Sequence, residues 1–215
     1  MSLANQFAAY SAWRSRLSSH VGEFQGWLTK NELSDGQTDL RLTQLLERLR
    51  EDRLNVAFVA EFSRGKSELI NAIFFADYGN RMLPSSAGRT TMCPTELLFE
   101  ASKQPCIELL PIQTRATNSG VTEYKSFPDE WTVVPLDTES PDAMQEALRH
   151  VSETTRVTPE EAVSLGFEVG QGEVELYRVG EDGLVEVPRW RHAMINFPHP
   201  LLKQGLVILD TPGLN

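Results

Sequence analysis

Apolar residues recur at steps of three and four from the start of the chain: Leu3, Phe7, Tyr10, Trp13, Leu17, Val21, Phe24 and Leu28. This spacing predicts an amphipathic helix over residues 3–28 with one long apolar seam. Polar Asn31 to Gly36 interrupts it. A second helix is predicted from Thr38 to about Asp52, with Leu42, Leu45, Leu46 and Leu49 on one side, and the two helices would form an antiparallel hairpin. The period then changes. Val56 to Val59 is a short apolar run that reads as a buried strand, and Leu69, Ile70, Ile73 and Phe74 return to helical spacing. Residues 77–83 read as a loop, and 84–94 show no periodicity.

Strands are predicted at 95–100 and 106–112, paired with each other through a turn at 102–105. Beyond them the pattern is weaker. Residues 113–123 read as a loop, 131–134 as a strand, and 141–151 as a helix with Ser140 as its cap and Pro141 in its first turn. A short helix starts at Thr158-Pro159. Two strands, 174–179 and 184–187, flank the Gly180-Glu-Asp-Gly183 turn. A strand at 190–197, a Pro-rich turn at 198–205 and a buried strand at 206–209 complete the pattern.

The chemistry sits at two of the strand ends. After the first strand comes Glu61-Phe-Ser-Arg-Gly-Lys-Ser67, immediately before the helix at 66–75. Strand, glycine-containing loop and helix are the context of a phosphate-binding P-loop, where backbone N–H groups and a helix N-terminus surround a phosphate chain. Gly65 allows close backbone approach, Lys66 would reach the β- and γ-phosphates, and Ser67 would bind magnesium. The general motif has Gly six positions before the Lys, and this chain has Ala60 there. The plainer reading is an ordinary strand-to-helix turn with a surface lysine. At the other strand end stands Asp210-Thr-Pro-Gly213. An Asp there would hold magnesium, and the Gly213 N–H would bind the γ-phosphate; a simple turn is the alternative. The small, polar stretch 84–94 lies where a P-loop GTPase carries its first switch, and offers Thr90 and Thr91 as magnesium and water ligands.

Phe62-Ser-Arg-Gly-Lys-Ser-Glu-Leu-Ile-Asn-Ala-Ile-Phe74, Leu83-Pro-Ser-Ser-Ala-Gly-Arg-Thr-Thr-Met-Cys-Pro-Thr95 and Leu209-Asp-Thr-Pro-Gly-Leu214 together resemble a bacterial dynamin-like GTPase. The likeness covers roughly residues 54–100 and 195–215. It implies an α/β fold: a P-loop NTPase domain with a mostly parallel sheet and flanking helices, preceded by the helical hairpin. Residues 1–53 would be a bundle or neck segment. Residues 54–215 would be the N-terminal portion of the GTPase domain, with an insertion at about 113–190. The 118 residues between Thr91 and Asp210 exceed what a minimal Ras-like domain uses, which is why an insertion is expected.

The resemblance also implies GTP as substrate and Mg2+ as cofactor. Thr91, three residues before Pro94, is the better match for the switch threonine. Lys66, Thr91 and Ser63 would be the catalytic group, and Ser67, Thr91 and Asp210 the metal group. Glu61, Phe62, Ser63, Arg64, Gly65, Lys66, Ser67, Asp210 and Gly213 would line the nucleotide. Where eukaryotic dynamins carry a Gln that orients the attacking water, this chain has Phe62, and Arg64 is a candidate source of positive charge. A nucleotide-controlled interaction module with little turnover, a P-loop ATPase and a fold without nucleotide all stay open. The guanine-recognition motif and the remaining strands of such a domain are not in these 215 residues. The expected partners are therefore GTP and GDP, the remaining C-terminal part of the protein, and further copies through the GTPase domain. Membrane association, with remodelling as the process, would come through absent segments.

Composition narrows this further. Sixteen acidic against four basic residues fall within 121–188, and the whole chain carries −10. That balance disfavours nucleic acid, or an anionic membrane, as the direct partner of this piece. Cys93 and Cys106 are the only cysteines, too few for a disulfide framework, which points to a reducing cytoplasm, with peripheral attachment to the inner membrane implied by the family. No histidine pairs with cysteine at zinc spacing, and no apolar run approaches membrane-spanning length.

Overall fold

The computed structural model describes residues 3–50, 53–59, 61, 65–79, 81–83, 93–170 and 177–212. The chain divides into two compact units, Met1–Leu54 and Asn55–Asn215.

The first unit is a pair of helices, α1 (Leu3–Lys30) and α2 (Gly36–Arg50). Asp35 starts α2 by accepting a hydrogen bond from the Thr38 N–H at 2.6 Å, which satisfies one of the donors a helix start leaves open. Leu28 and Leu46 are buried, and Gln25 Nε2 bonds Asp39 and Thr43 across the pair. The expected seam differs from the buried face. Tyr10, Trp13 and Phe24 are exposed, whereas Arg14 is buried. The exposed aromatics stack on one another: Tyr10 on Trp13 at 5.9 Å and Phe24 on Trp27 at 6.3 Å. The side chains of Leu3 and Phe7, at the start of the seam, lie outside the described residues.

The second unit begins with β1 (Leu54–Phe58) and α3 (Lys66–Phe74), then β2 (Thr95–Leu98) and β3 (Cys106–Pro111). α4 (Val121–Tyr124), β4 (Thr132–Pro135) and α5 (Pro141–Arg149) follow, then β5 (Thr154–Val157) and α6 (Pro159–Ser164). The chain continues through β6 (Val169–Gly170), β7 (Tyr177–Arg178), β8 (Val185–Pro188), β9 (Trp190–Asn196), α7 (Pro200–Lys203) and β10 (Leu206–Asp210). Six strands form the main sheet in the order β1-β10-β2-β9-β3-β4. The α/β class with flanking helices is as expected. The sheet is more mixed than the expected mostly parallel one: β2 and β9 are parallel, whereas β10–β2, β9–β3 and β3–β4 are antiparallel.

β2 and β3 do not form the expected hairpin. β9, buried at every position but Arg191, lies between them, with Ile195 opposite Leu97 on one side and Ile107 on the other. A strand this apolar is most stable with a neighbour on each edge. The β2–β3 connection must then arch over the end of β9, and Asn196 fills the arch. Its Oδ1 accepts from Glu100 N at 2.8 Å, and its Nδ2 donates to the carbonyls of Glu100, Lys103 and Gln104. β1 also departs from expectation. Val56 and Val59 are exposed because β1 is the terminal strand of the sheet.

One face of the sheet buries Leu98, Leu110, Met194 and Val207 with Trp131, under Val121 and Tyr124 of α4. The stretch read as a loop at 113–123 therefore contains a helix that covers the sheet, and a 3-10 turn at Ile112–Ala116. β5, which the pattern did not predict, pairs with β8. Val157 of β5 and Val185 and Val187 of β8 form a satellite core with Ile112, Ala162, Leu165 and Phe167, so this stretch of chain has its own apolar interior. The Gly180–Gly183 turn closes with Gly183 N to Gly180 O at 3.0 Å, braced by an Arg156–Asp182 ion pair at 2.7 Å. Of the strand expected at 174–179, residues 174–176 lie outside the described residues.

Candidate functional site

α3 begins at Lys66 because Gly65 turns the chain into it. Gly65 has φ +81° and ψ +19°, left-handed values that disfavour any side chain, and its carbonyl accepts from Leu69 N at 2.9 Å. Lys66 and Ser67 are thereby presented at the helix N-terminus, where backbone N–H groups and the positive dipole end favour an anion. Ser67 is buried and Lys66 half-buried.

β10 delivers the second half of the site. It is buried along most of its length and ends at Asp210, opposite Thr95 of β2. Ser67 Oγ donates to Asp210 Oδ2 at 3.0 Å, joining residues 143 positions apart. Asp210 Oδ1 is buried and has no hydrogen-bond partner among the described residues. Burial pushes the Asp210 carboxyl up, while the Ser67 hydrogen bond and the Lys66 charge pull it down; the net direction is up. A buried carboxylate oxygen without a partner is costly unless a cation or donor completes it. The donor set, one hydroxyl and one carboxylate, suits magnesium, which is typically held by one or two protein oxygens with phosphate and water supplying the rest. The described residues hold no cluster of three or more His, Cys, Asp or Glu that would cage a metal without such help.

The structure thus brings Gly65, Lys66, Ser67 and Asp210 to one place. Glu61, exposed, lies just beyond β1. Phe62, Ser63, Arg64, Thr91 and Gly213 lie outside the described residues, as does Ala60. Two contacts around the site were not anticipated. Thr211 Oγ1 donates to Phe58 O at 2.8 Å, tying the end of β10 to the end of β1. Asn71, one turn beyond Ser67 on the buried side of α3, bonds the backbone at Met82 and Leu83. The available signal was a polar residue four positions after Ser67, among apolar neighbours.

Cys93 is buried and its thiol is pushed up to about 12 by burial, so it stays protonated and unreactive at neutral pH. His199 caps α7, its Nδ1 accepting from Leu201 N at 3.3 Å, and meets Phe74 edge-on at 5.0 Å. Both histidine and thiol are therefore structural.

A sequence model described as the Dynamin family matches residues 56–215. Comparison with curated proteins returns no match. Two solved structures align over nearly the whole chain, both described as an oligomerised bacterial dynamin pair in long-range sensing and tethering of membranes. The first shares 18% identity with TM-score 0.38, covering 95% of this chain and 25% of its own; the second shares 16% with TM-score 0.34, covering 96% and 29%. The chain therefore spans between a quarter and a third of the length of these structures. No described helix is long and apolar enough to cross a membrane.

Proposed function

The chain belongs to the dynamin family, and from that premise we propose that it binds GTP with magnesium and hydrolyses it to GDP and phosphate. The observation that carries this reading is the Ser67–Asp210 pair at 3.0 Å, with Asp210 Oδ1 buried and unpartnered beside Lys66. Ser67 and Asp210, with Thr91, would hold magnesium, which when bound neutralises charge on the β- and γ-phosphate oxygens. The Lys66 ammonium binds those same oxygens and stabilises the charge that builds as the bond to the γ-phosphorus breaks. Gly65 and the first turn of α3 donate backbone N–H groups to the phosphates. Glu61, Phe62, Ser63 and Arg64 complete the loop around them, and the Gly213 N–H contacts the γ-phosphate. Thr91 and Ser63 position the attacking water and the phosphates.

The wider roles rest on family membership: further copies meeting through the GTPase domain, docking of the rest of the protein, and membrane remodelling from the cytoplasmic side. A second reading, tight GTP binding with little turnover, is favoured by Phe62 standing where eukaryotic dynamins have glutamine.

The deciding experiment titrates fluorescent GTP, GDP and ATP analogues, with magnesium, into the full-length protein and its Lys66→Ala variant. Guanine-selective binding that Lys66→Ala loses is the expected result, with steady phosphate release separating hydrolase from binding module. Preference for the ATP analogue would reassign the base, and no binding by the unaltered protein would sink the nucleotide reading.

A further inference from the structure

A cavity of about 200 Å³ lies beside α4, lined by Ser119, Glu123, Tyr124, Phe127 and Glu130. Two successive turns build its wall. Ser126 N donates to Glu123 O at 3.0 Å and Phe127 N to Tyr124 O at 3.0 Å. Pro128, which has no N–H, then starts a 3-10 turn, and Glu130 N bonds Phe127 O at 3.1 Å. Glu123, Phe127 and Glu130 thus follow at steps of four and three, and their side chains share one space. The wall is tied to the sheet and to its neighbours. Lys125 Nζ pairs with Glu96 of β2 at 2.9 Å, and Trp131 Nε1 donates to Tyr124 O at 2.8 Å. The Thr117 and Tyr124 hydroxyls meet at 3.0 Å, and Arg191 of β9 donates to the carbonyls of Thr114 at 2.6 Å and Ser119 at 3.0 Å. The cavity is therefore formed before anything enters it, which lowers the ordering cost of binding there.

The lining says what the cavity would take. Glu123 and Glu130 are exposed, and among the described residues no basic side chain pairs with either. The two cations bonded to the walls are committed elsewhere: Lys125 to Glu96, and Arg191 to two carbonyls and to the Tyr124 ring, 5.7 Å from its centroid. Phe127 is 59% exposed. A lone exposed phenylalanine is ordinary. One that lines a formed cavity together with two unpaired carboxylates is a surface that a cation completes, because the ring face attracts positive charge and accepts an alkyl stem. A guanidinium suits both features, being flat enough to stack on the ring while its fork of N–H donors meets carboxylates. Size fixes the kind of ligand. Sites for whole small molecules run to roughly 300–1,000 Å³, so this smaller space suits one inserted side chain. The surrounding charge agrees: sixteen acidic against four basic residues within 121–188 attract a basic segment and repel acidic surfaces.

We propose that this cavity docks a basic segment of a partner protein, which inserts one arginine side chain against Phe127 with its guanidinium on Glu123 and Glu130. None of Lys66, Ser67 and Asp210 lines it, so the inference does not rest on the nucleotide reading. Both carboxylates are exposed, so the contact is weak and salt-sensitive.

The test titrates the full-length protein into fluorescently labelled peptides and reads anisotropy at low salt. The peptides share flanks that carry two lysines, and differ only in a central arginine, lysine or citrulline. The arginine peptide is expected to bind with Kd below about 1 mM, the lysine peptide about threefold more weakly and the uncharged citrulline peptide about tenfold more weakly. Glu123→Gln combined with Glu130→Gln is expected to weaken the arginine peptide about tenfold, and Phe127→Ala about threefold. Glu160→Gln combined with Glu161→Gln makes the same change of charge at two exposed positions on α6, and should leave affinity within about twofold. Folding is checked by circular dichroism; if Phe127→Ala does not fold, Phe127→Leu removes the ring face and keeps the bulk. No binding of the arginine peptide by the unaltered protein would overturn the proposal. So would equal weakening by the α6 pair, which would leave general attraction to an acidic surface, or equal binding of the arginine and citrulline peptides. Arginine amide alone binding as tightly as the peptide would overturn it as well, by making the cavity a small-amine site.

Discussion

Asp210 carries a cost that a bound cation or donor would relieve. Its Oδ1 is buried without a hydrogen-bond partner among the described residues, and burial holds its carboxyl above the usual range. Residues kept for binding at the expense of stability gain stability when neutralised. Asp210→Asn is therefore expected to raise the unfolding free energy of the ligand-free protein by about 0.5–2 kcal/mol while removing magnesium-dependent nucleotide binding. Denaturant titration reads the first effect and fluorescent GTP binding the second; lower stability without ligand would contradict the argument. Glu96 is the opposite case. Burial alone would raise its carboxyl, but His192 Nε2 at 3.2 Å and Lys125 Nζ at 2.9 Å bring it down to about 2. The folded state therefore binds this proton more weakly than the unfolded chain does. The contribution is fully present above pH 4.5, the ordinary value, and is lost as pH falls from there towards 2. Its size is on the order of 2 kcal/mol. Glu96→Gln should flatten the acid limb of a stability-against-pH curve in that window, and an unchanged slope would refute the assignment.

Among the elements, the helix starts were the most legible, because a cap is a local device. Ser140 Oγ accepts from Ala143 N at 3.3 Å and Thr158 Oγ1 from Glu161 N at 3.2 Å, each followed by a proline in the first turn. Ser140→Ala should cost about 1 kcal/mol in thermal or denaturant unfolding, and a change within about 0.3 kcal/mol would mean the cap contributes little. The turn into α3 was legible for the same reason, since Gly65 takes the left-handed conformation its residue type favours. Strand order was not legible. β2 and β3 read as a hairpin because they are neighbours in sequence, but β9 arrives about eighty residues later and separates them. The apolar stripe of α1 was legible as a stripe, yet its period does not say which part of it α2 covers. The meeting of Ser67 and Asp210 was legible through chemistry, because a hydroxyl and a carboxylate at two strand ends both suit one magnesium ion. The Asn71 contacts to Met82 and Leu83 left only one signal, a polar residue at helical spacing from Ser67, because their partners are backbone groups that no sequence pattern marks.

At the scale of the molecule, the two edges of the main sheet are defended differently. β4 is short and ends in Pro135, which has no N–H to offer a new strand. β1, Leu54-Asn-Val-Ala-Phe58, has neither proline nor charge. Val56 and Val59 beside it are 37% and 59% exposed, and Leu69 and Ile73 on α3 are 50% and 41% exposed. An uncharged edge strand is a template for pairing with another chain, and exposed apolar helix positions add adhesive surface. A polypeptide of residues 1–215 produced by itself should therefore associate as its concentration rises. The acidic surface opposes this at long range, because the chain carries −10, with sixteen acidic against four basic residues within 121–188. Repulsion is screened within about 10 Å at 0.1 M salt, whereas an apolar contact is not weakened by salt, so association should strengthen from low to moderate ionic strength. Sedimentation velocity across concentration and salt tests this, and Val56→Lys combined with Leu69→Glu should restore a monomer. If the edge is instead harmless, the unaltered polypeptide sediments as a monomer throughout. If the acidic stretch 121–188 mediates association, the two substitutions leave it intact and added salt weakens any charge-driven contact.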